Sequence, residues 1–107
     1  MKLLFICSQN RLRSPTAEQV FSAYPGIEAM SAGTNSCAET PVSPDLIDWA
    51  DIVFVMENSH KNRLYKHFKP LFKTKRLVVL NIPDDYGYMD PDLVALLKAR
   101  VHRYLDL

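Results

Sequence analysis

Cys7-Ser8-Gln9-Asn10-Arg11-Leu12-Arg13-Ser14-Pro15 lies between the apolar run Leu3-Leu4-Phe5-Ile6 and a helix-like segment, Thr16 to Ala23. A continuous apolar run of this kind reads as a strand covered on both faces, which belongs in a parallel sheet. Ser14-Pro15 fits a helix start, because proline gives up only an N–H that the first turn leaves unpaired. Strand, polar loop and helix start therefore follow one another directly. Such a loop aims its amides and the helix N-terminus at one spot, and that spot attracts anions. The same field favours the thiolate of a cysteine placed beside it. Arg13 adds a planar, permanently charged fork suited to two phosphate oxygens. Cysteine, five residues, arginine, then serine is the spacing that phosphoryl transfer to sulfur needs. The competing account of Cys7 is an inert buried cysteine, but an arginine-rich polar loop is a poor apolar pocket.

Outward from this loop, strands alternate with helices. Lys2 to Ile6 is the first strand. The helix that follows starts near Arg13 or Ser14, presents Ala17, Val20, Phe21 and Tyr24 at helical spacing, and stops at Pro25-Gly26. Ile27 to Ala32 reads as a second strand ended by Gly33, and residues 34 to 43 as a polar loop. Ser43 or Pro44 opens a short helical turn through Trp49. Ile52 to Met56 is a third strand. Asn58 or Ser59 caps a helix to about Phe68, with Leu64, Tyr65 and Phe68 inward. Leu77 to Ile82 is a fourth strand. Asp90 caps a last helix with Pro91 at its first position and an apolar stripe of Leu93, Val94, Leu97, Val101, Tyr104 and Leu105.

The expected fold is thus a single α/β domain over residues 1–107: three layers, a four-stranded parallel sheet with helices on both faces, and the anion loop after the first strand. Ligands bind such sheets beyond the carboxyl ends of the strands, which puts Cys7 and Asp84 on one rim. Net charge of +1 gives no general reason to expect nucleic acid or a membrane. No apolar run nears the roughly 20 residues needed to span a bilayer. Met1-Lys2 leads straight into a strand with no signal-peptide pattern. Two cysteines without a CxxC argue against a disulfide scaffold or a cysteine zinc site. A cytoplasmic location is expected, since a catalytic thiolate needs a reducing compartment. No metal or other cofactor is expected.

The loop, read through Thr16-Ala17-Glu18, resembles the phosphate-binding loop of the low-molecular-weight protein tyrosine phosphatases, Cys-x-Gly-Asn-x-Cys-Arg-Ser-Pro-x-Ala-Glu. The resemblance extends through Ser31-Ala32-Gly33-Thr34, Ala50 to Met56 and the Asp84 region. It implies hydrolysis of a phosphomonoester, most simply protein phosphotyrosine, with Cys7 as nucleophile and a phosphocysteine intermediate. Arg13 and the loop Ser8, Gln9, Asn10, Arg11, Leu12, Arg13 and Ser14 would hold the phosphoryl group. A bare phosphate or sulfate ion would fit the same loop. The resemblance also implies a left-handed Asn10 bonded to neighbouring serines, Ser31 among them, with Ser14 donating to the Cys7 sulfur.

The family's acid lies in Asp-Pro-Tyr, which Asp84-Asp85-Tyr86 matches with Asp85 in place of proline. Asp84 is the expected acid and Asp85 the alternative. Asp90-Pro91 is accounted for by helix capping. Tyr86, Tyr88 and Cys37 are candidates for a substrate wall. The sequence departs from the family at three points: Gln9 stands for a glycine, Leu12 for the loop's second cysteine, and the connection Thr34 to Pro41 for an additional helix. Cys37 could supply a redox partner only within about 7 Å of Cys7 between Cα atoms.

Other readings remain open at this point. They are a phosphatase for a small metabolite or nucleic-acid phosphate, a phosphate- or phosphopeptide-binding module with little turnover, and, ranked below these, an arsenate reductase. Residues 60–76 carry Lys61, Arg63, Lys66, Lys69, Lys73, Lys75 and Arg76. They read as a solvated face, and they are the one place where an acidic substrate or an RNA backbone would be steered. His60 and His67 have no partners at metal-ligand spacing.

Overall fold

The computed structural model describes residues 1–105. Its strands are β1 (Lys2–Cys7), β2 (Glu28–Gly33), β3 (Ile52–Val55) and β4 (Arg76–Val79), all parallel in the order β2-β1-β3-β4. The helices are α1 (Arg13–Ser22), α2 (Pro44–Trp49), α3 (Asn58–Phe68) and α4 (Pro91–Val101). Short 3-10 turns follow α3 at Lys69–Phe72 and α4 at His102–Tyr104.

Side chains alternate across β1, and each set meets its own helices. Leu3, Phe5 and Cys7 share one core with Ala17, Val20 and Phe21 of α1 and with Leu93, Leu97 and Val101 of α4. Leu4 and Ile6 share the other with Ile47 of α2, Leu64 of α3 and Phe72. Leu3 to Ile6 are fully buried, as a strand covered on both faces requires. Phe5 stacks between Phe21 and Phe54 at centroid distances of 5.5 and 5.3 Å, which fixes α1 against the sheet and so the loop between β1 and α1. The layering is the one expected from the apolar pattern.

Five local expectations are corrected. The fourth strand stops at Val79 rather than Ile82. Leu80 and Ile82 still donate to Val55 and Met56 carbonyls at 2.8 Å, but Asn81 between them has φ 56°, which breaks the extended ladder. The third strand ends at Val55, one residue early, and the second is shifted to Glu28–Gly33. The N-cap of α3 is Glu57, not Asn58 or Ser59, because the His60 ring takes the Glu57 backbone N–H. Tyr65 is exposed and leans on Phe72 from outside, while Leu64 carries the inward face. Among the described residues, no helix is long and apolar enough to cross a membrane.

Candidate active site

The loop between β1 and α1 wraps a small cavity of about 110 Å³ lined by Cys7, Ser8, Gln9, Arg11, Leu12, Arg13 and Asp84. Helix α1 opens onto it with an undressed N-terminus. Leu12 is its N-cap, no side chain caps it, and its first turn holds no acid. Amides left open in this way suit an anion.

The connection after β2 holds the other side of the loop. Thr34 N–H donates to the Cys7 carbonyl at 2.9 Å, Asn35 N–H to Ser8 at 3.0 Å and Glu39 N–H to Gln9 at 3.2 Å. No peptide bond here is cis. In a trans peptide the carbonyl and the next N–H point in opposite directions. Pinning those three carbonyls toward the connection therefore turns the N–H groups of Ser8 and Gln9, two residues that line the cavity, away from the connection.

Asn10 has φ 56° and is buried. Asparagine visits this region more readily than most residues. Its Nδ2 donates to Ser14 Oγ at 3.0 Å and to Ser31 Oγ at 2.9 Å. Ser14 Oγ in turn lies 2.9 Å from Cys7 Sγ. Asn10 and Ser14 are thus behind the cavity, supporting it, and the hydroxyl of Ser14 reaches the sulfur.

Arg13 is only 4% exposed despite its charge, which an unpaired surface arginine would not be. Its Nη1 donates to a Glu57 carboxylate oxygen and, at 2.8 Å, to the Ile82 carbonyl. Its Nε stands 3.6 Å from an Asp84 carboxylate oxygen. The Asp84 side chain is two-thirds exposed at the rim. Glu57 was not singled out in the sequence. Nothing local marked it, because its partner Arg13 is 44 residues away. His60, read only as part of the basic segment, is likewise buried against the loop, with Nε2 2.9 Å from Ser8 Oγ.

The remaining candidates lie elsewhere. Asp85 is exposed and does not line the cavity. Tyr86 packs partly against the core shared with α1 and α4, Tyr88 is 54% exposed, and Cys37 sits in an exposed turn with its N–H on Asn35 Oδ1. None of the three forms part of the cavity lining. The basic segment 60–76 occupies α3, the turn after it and the start of β4, and none of its cations lines the cavity.

Comparison with known proteins agrees with this geometry. The family model "Low molecular weight phosphotyrosine protein phosphatase" matches residues 2–49, which include the loop, α1 and β2. No curated protein sequence matches the chain. Among solved structures, the tyrosine phosphatase Wzb from Escherichia coli K30 in complex with phosphate is similar with a TM-score of 0.77 and 21% identity, covering 96% of this chain and 94% of that one. The YwlE arginine phosphatase from Geobacillus stearothermophilus gives 0.76 and 22%, covering 96% and 91%. A low molecular weight protein tyrosine phosphatase from T. tengcongensis gives 0.77 and 21%, covering 98% and 99%. At such identities the structural likeness is one of fold. Residues 2–49 are thus similar to the low molecular weight phosphotyrosine protein phosphatase model, and the chain as a whole shares the fold of these solved structures.

Proposed function

We propose that this chain hydrolyses phosphomonoesters through a phosphocysteine intermediate, most simply phosphotyrosine on a protein. The observation that supports it is the meeting of Cys7, the loop amides, Arg13 and Asp84 around one anion-sized cavity. Cys7 Sγ attacks phosphorus, an S–P bond forms and the ester P–O bond breaks. The Asp84 carboxyl gives its proton to the departing oxygen. Water then attacks phosphorus, Asp84 takes a proton from it, and the S–P bond breaks to return sulfur and inorganic phosphate. The loop amides and Arg13 meet the charge on the three equatorial oxygens. Ser14, 2.9 Å from the sulfur, supports its departure in the second step.

A second substrate class has one observation in its favour. No aromatic side chain lines the cavity, so an aryl group is not demanded by its immediate walls. Phosphoarginine, given the arginine phosphatase among the similar structures, and small phosphomonoesters belong in the same assay.

Purified protein should release phosphate from p-nitrophenyl phosphate, a phosphotyrosine peptide or phosphoarginine. Cys7→Ser should abolish release and keep phosphate binding. Asp84→Ala should slow esters with poor leaving groups far more than p-nitrophenyl phosphate. Equal losses on both would remove Asp84 as the acid, and the same substitution at Asp85 tests the other candidate.

A further inference from the structure

The His60 ring has one unambiguous neighbour. Its Nδ1 lies 3.0 Å from the backbone nitrogen of Glu57, and a backbone N–H can only donate. Nδ1 is therefore the acceptor and carries no proton. A neutral imidazole then holds its single proton on Nε2. Burial, reinforced by the Arg13 charge, lowers the His60 pKa from 6.5 to about 4, so the ring is neutral at pH 7. Nε2 is 2.9 Å from Ser8 Oγ, so Nε2–H donates and the serine oxygen accepts. The hydroxyl proton of Ser8 is left to point elsewhere. It has no other protein partner among the described residues, and Ser8 lines the cavity beside Cys7 and Arg13.

We infer that Ser8 Oγ–H is a further donor to a phosphoryl oxygen held in the cavity, aimed there by a relay from Glu57 N–H through His60. This rests on the reading of the cavity as a phosphate site. Ser8 is the group that touches the ligand, and His60 is a positioning residue that acts through it. A hydroxyl with no donor on its oxygen can turn its proton to water or to its own backbone. Here the imidazole occupies one lone pair and restricts the rotor, so the proton is presented before the anion arrives. The loop amides are donors of fixed direction. Ser8 adds one that depends on a side chain from a different helix.

Calorimetric titration of inorganic phosphate into the protein at pH 7 tests this without relying on turnover. Ser8→Ala should weaken phosphate binding about tenfold, as expected for one hydrogen bond to a charged group. His60→Asn keeps an acceptor near Nδ1 but places nothing at Nε2, and should lose about the same factor. His60→Gln places an amide N–H where Nε2 stands and should stay within about twofold of wild type. The Ser8→Ala/His60→Asn double variant should lose no more than either single one, since both remove the same bond. Thermal melts of each variant separate misfolding from a lost contact. Wild-type affinity in Ser8→Ala, or losses that add in the double variant, would overturn the inference. A protein that follows this pattern yet hydrolyses none of the phosphorylated substrates fails the catalytic proposal and leaves the Ser8 hydrogen bond standing.

Discussion

Asn10 joins backbone strain and side-chain bonding in one residue, and a pair of substitutions separates them. Its φ of 56° lies where an alanine side chain is unfavourable by about 1–2 kcal/mol. Its Nδ2 makes two buried hydrogen bonds, to Ser14 at 3.0 Å and to Ser31 at 2.9 Å. Each contributes about 0.5–1.5 kcal/mol net. Asn10→Ala loses both bonds and adds the strain, for a total of about 2–5 kcal/mol. In a domain of this size that lowers Tm by about 10–40 °C. Asn10→Gly loses the same bonds but tolerates positive φ. After glycine's greater freedom in the unfolded chain is set against this, the glycine variant should be about 1 kcal/mol more stable than the alanine variant. Far-UV circular dichroism melts and urea titration measure both. Phosphate titration gives the functional side, because Ser14 loses a donor that fixes its hydroxyl against Cys7. Equal stabilities for the two variants would refute the strain argument. An alanine variant melting within about 3 °C of wild type would refute the whole account.

Two further outcomes follow from buried groups around the loop. His60 has a folded pKa of about 4 against 6.5 unfolded, so protonation favours the unfolded chain. Its contribution is fully present above pH 6.5 and is lost as pH falls toward 4, by about 3 kcal/mol in all; the difference in unfolding free energy between wild type and His60→Gln should therefore change across that window and stay flat from pH 7 to 8. At Gly33 an added Cβ would lie 2.5 Å from both Ala38 Cβ and the Ser8 carbonyl oxygen. Gly33→Ala should cost about 1–3 kcal/mol in chemical denaturation and weaken phosphate binding. Ala38→Gly in that background should not restore either, because the Ser8 carbonyl is backbone and remains in the way.

The layers and the place of Cys7 at the end of β1, beside the cavity, were legible because their signals are local. An unbroken apolar strand, a polar loop and a proline helix start occupy adjacent positions from Leu3 to Pro15, and each constrains its neighbour. The strand ends were less legible. Asn81 turns left-handed inside what reads as the strand Leu77 to Ile82, and asparagine permits that conformation without announcing it. Tyr65 reads as core by spacing, yet the 3-10 turn after α3 brings Phe72 under it and leaves the tyrosine outside. The partners of the loop were illegible for a different reason. Glu57 and His60 reach Arg13 and Ser8 across 44 and 52 residues, and only the pairing of β1 with β3 brings those segments together. A charged residue one position past a strand and a histidine in a basic helix look like surface features until the register is known.

Two of the departures from the family pattern, Gln9 for glycine and a short connection for a helix, bear on the same amides. A glycine is required at a loop position only where φ is positive or a Cβ has no room. Among the non-glycine residues of this loop only Asn10 has a positive φ, and Gln9 does not. The residue that turns the chain is thus the asparagine, and the position before it accepts a side chain. The connection from Thr34 to Pro41 in turn has its own anchor, a bridge between Gly33 and Pro41 with Gly33 N–H on Thr40 and Val42 N–H on Gly33. Held at both ends, it offers the amides of Thr34, Asn35 and Glu39 to three successive carbonyls of the loop between β1 and α1. A longer helical insertion is not needed for that task, because helical amides in mid-segment are already spent on their own turn. The trimmed connection therefore fixes the backbone of that loop without an added helix. It occupies the carbonyls of Cys7, Ser8 and Gln9, so that the N–H groups of Ser8 and Gln9, two residues of the cavity lining, point away from the connection.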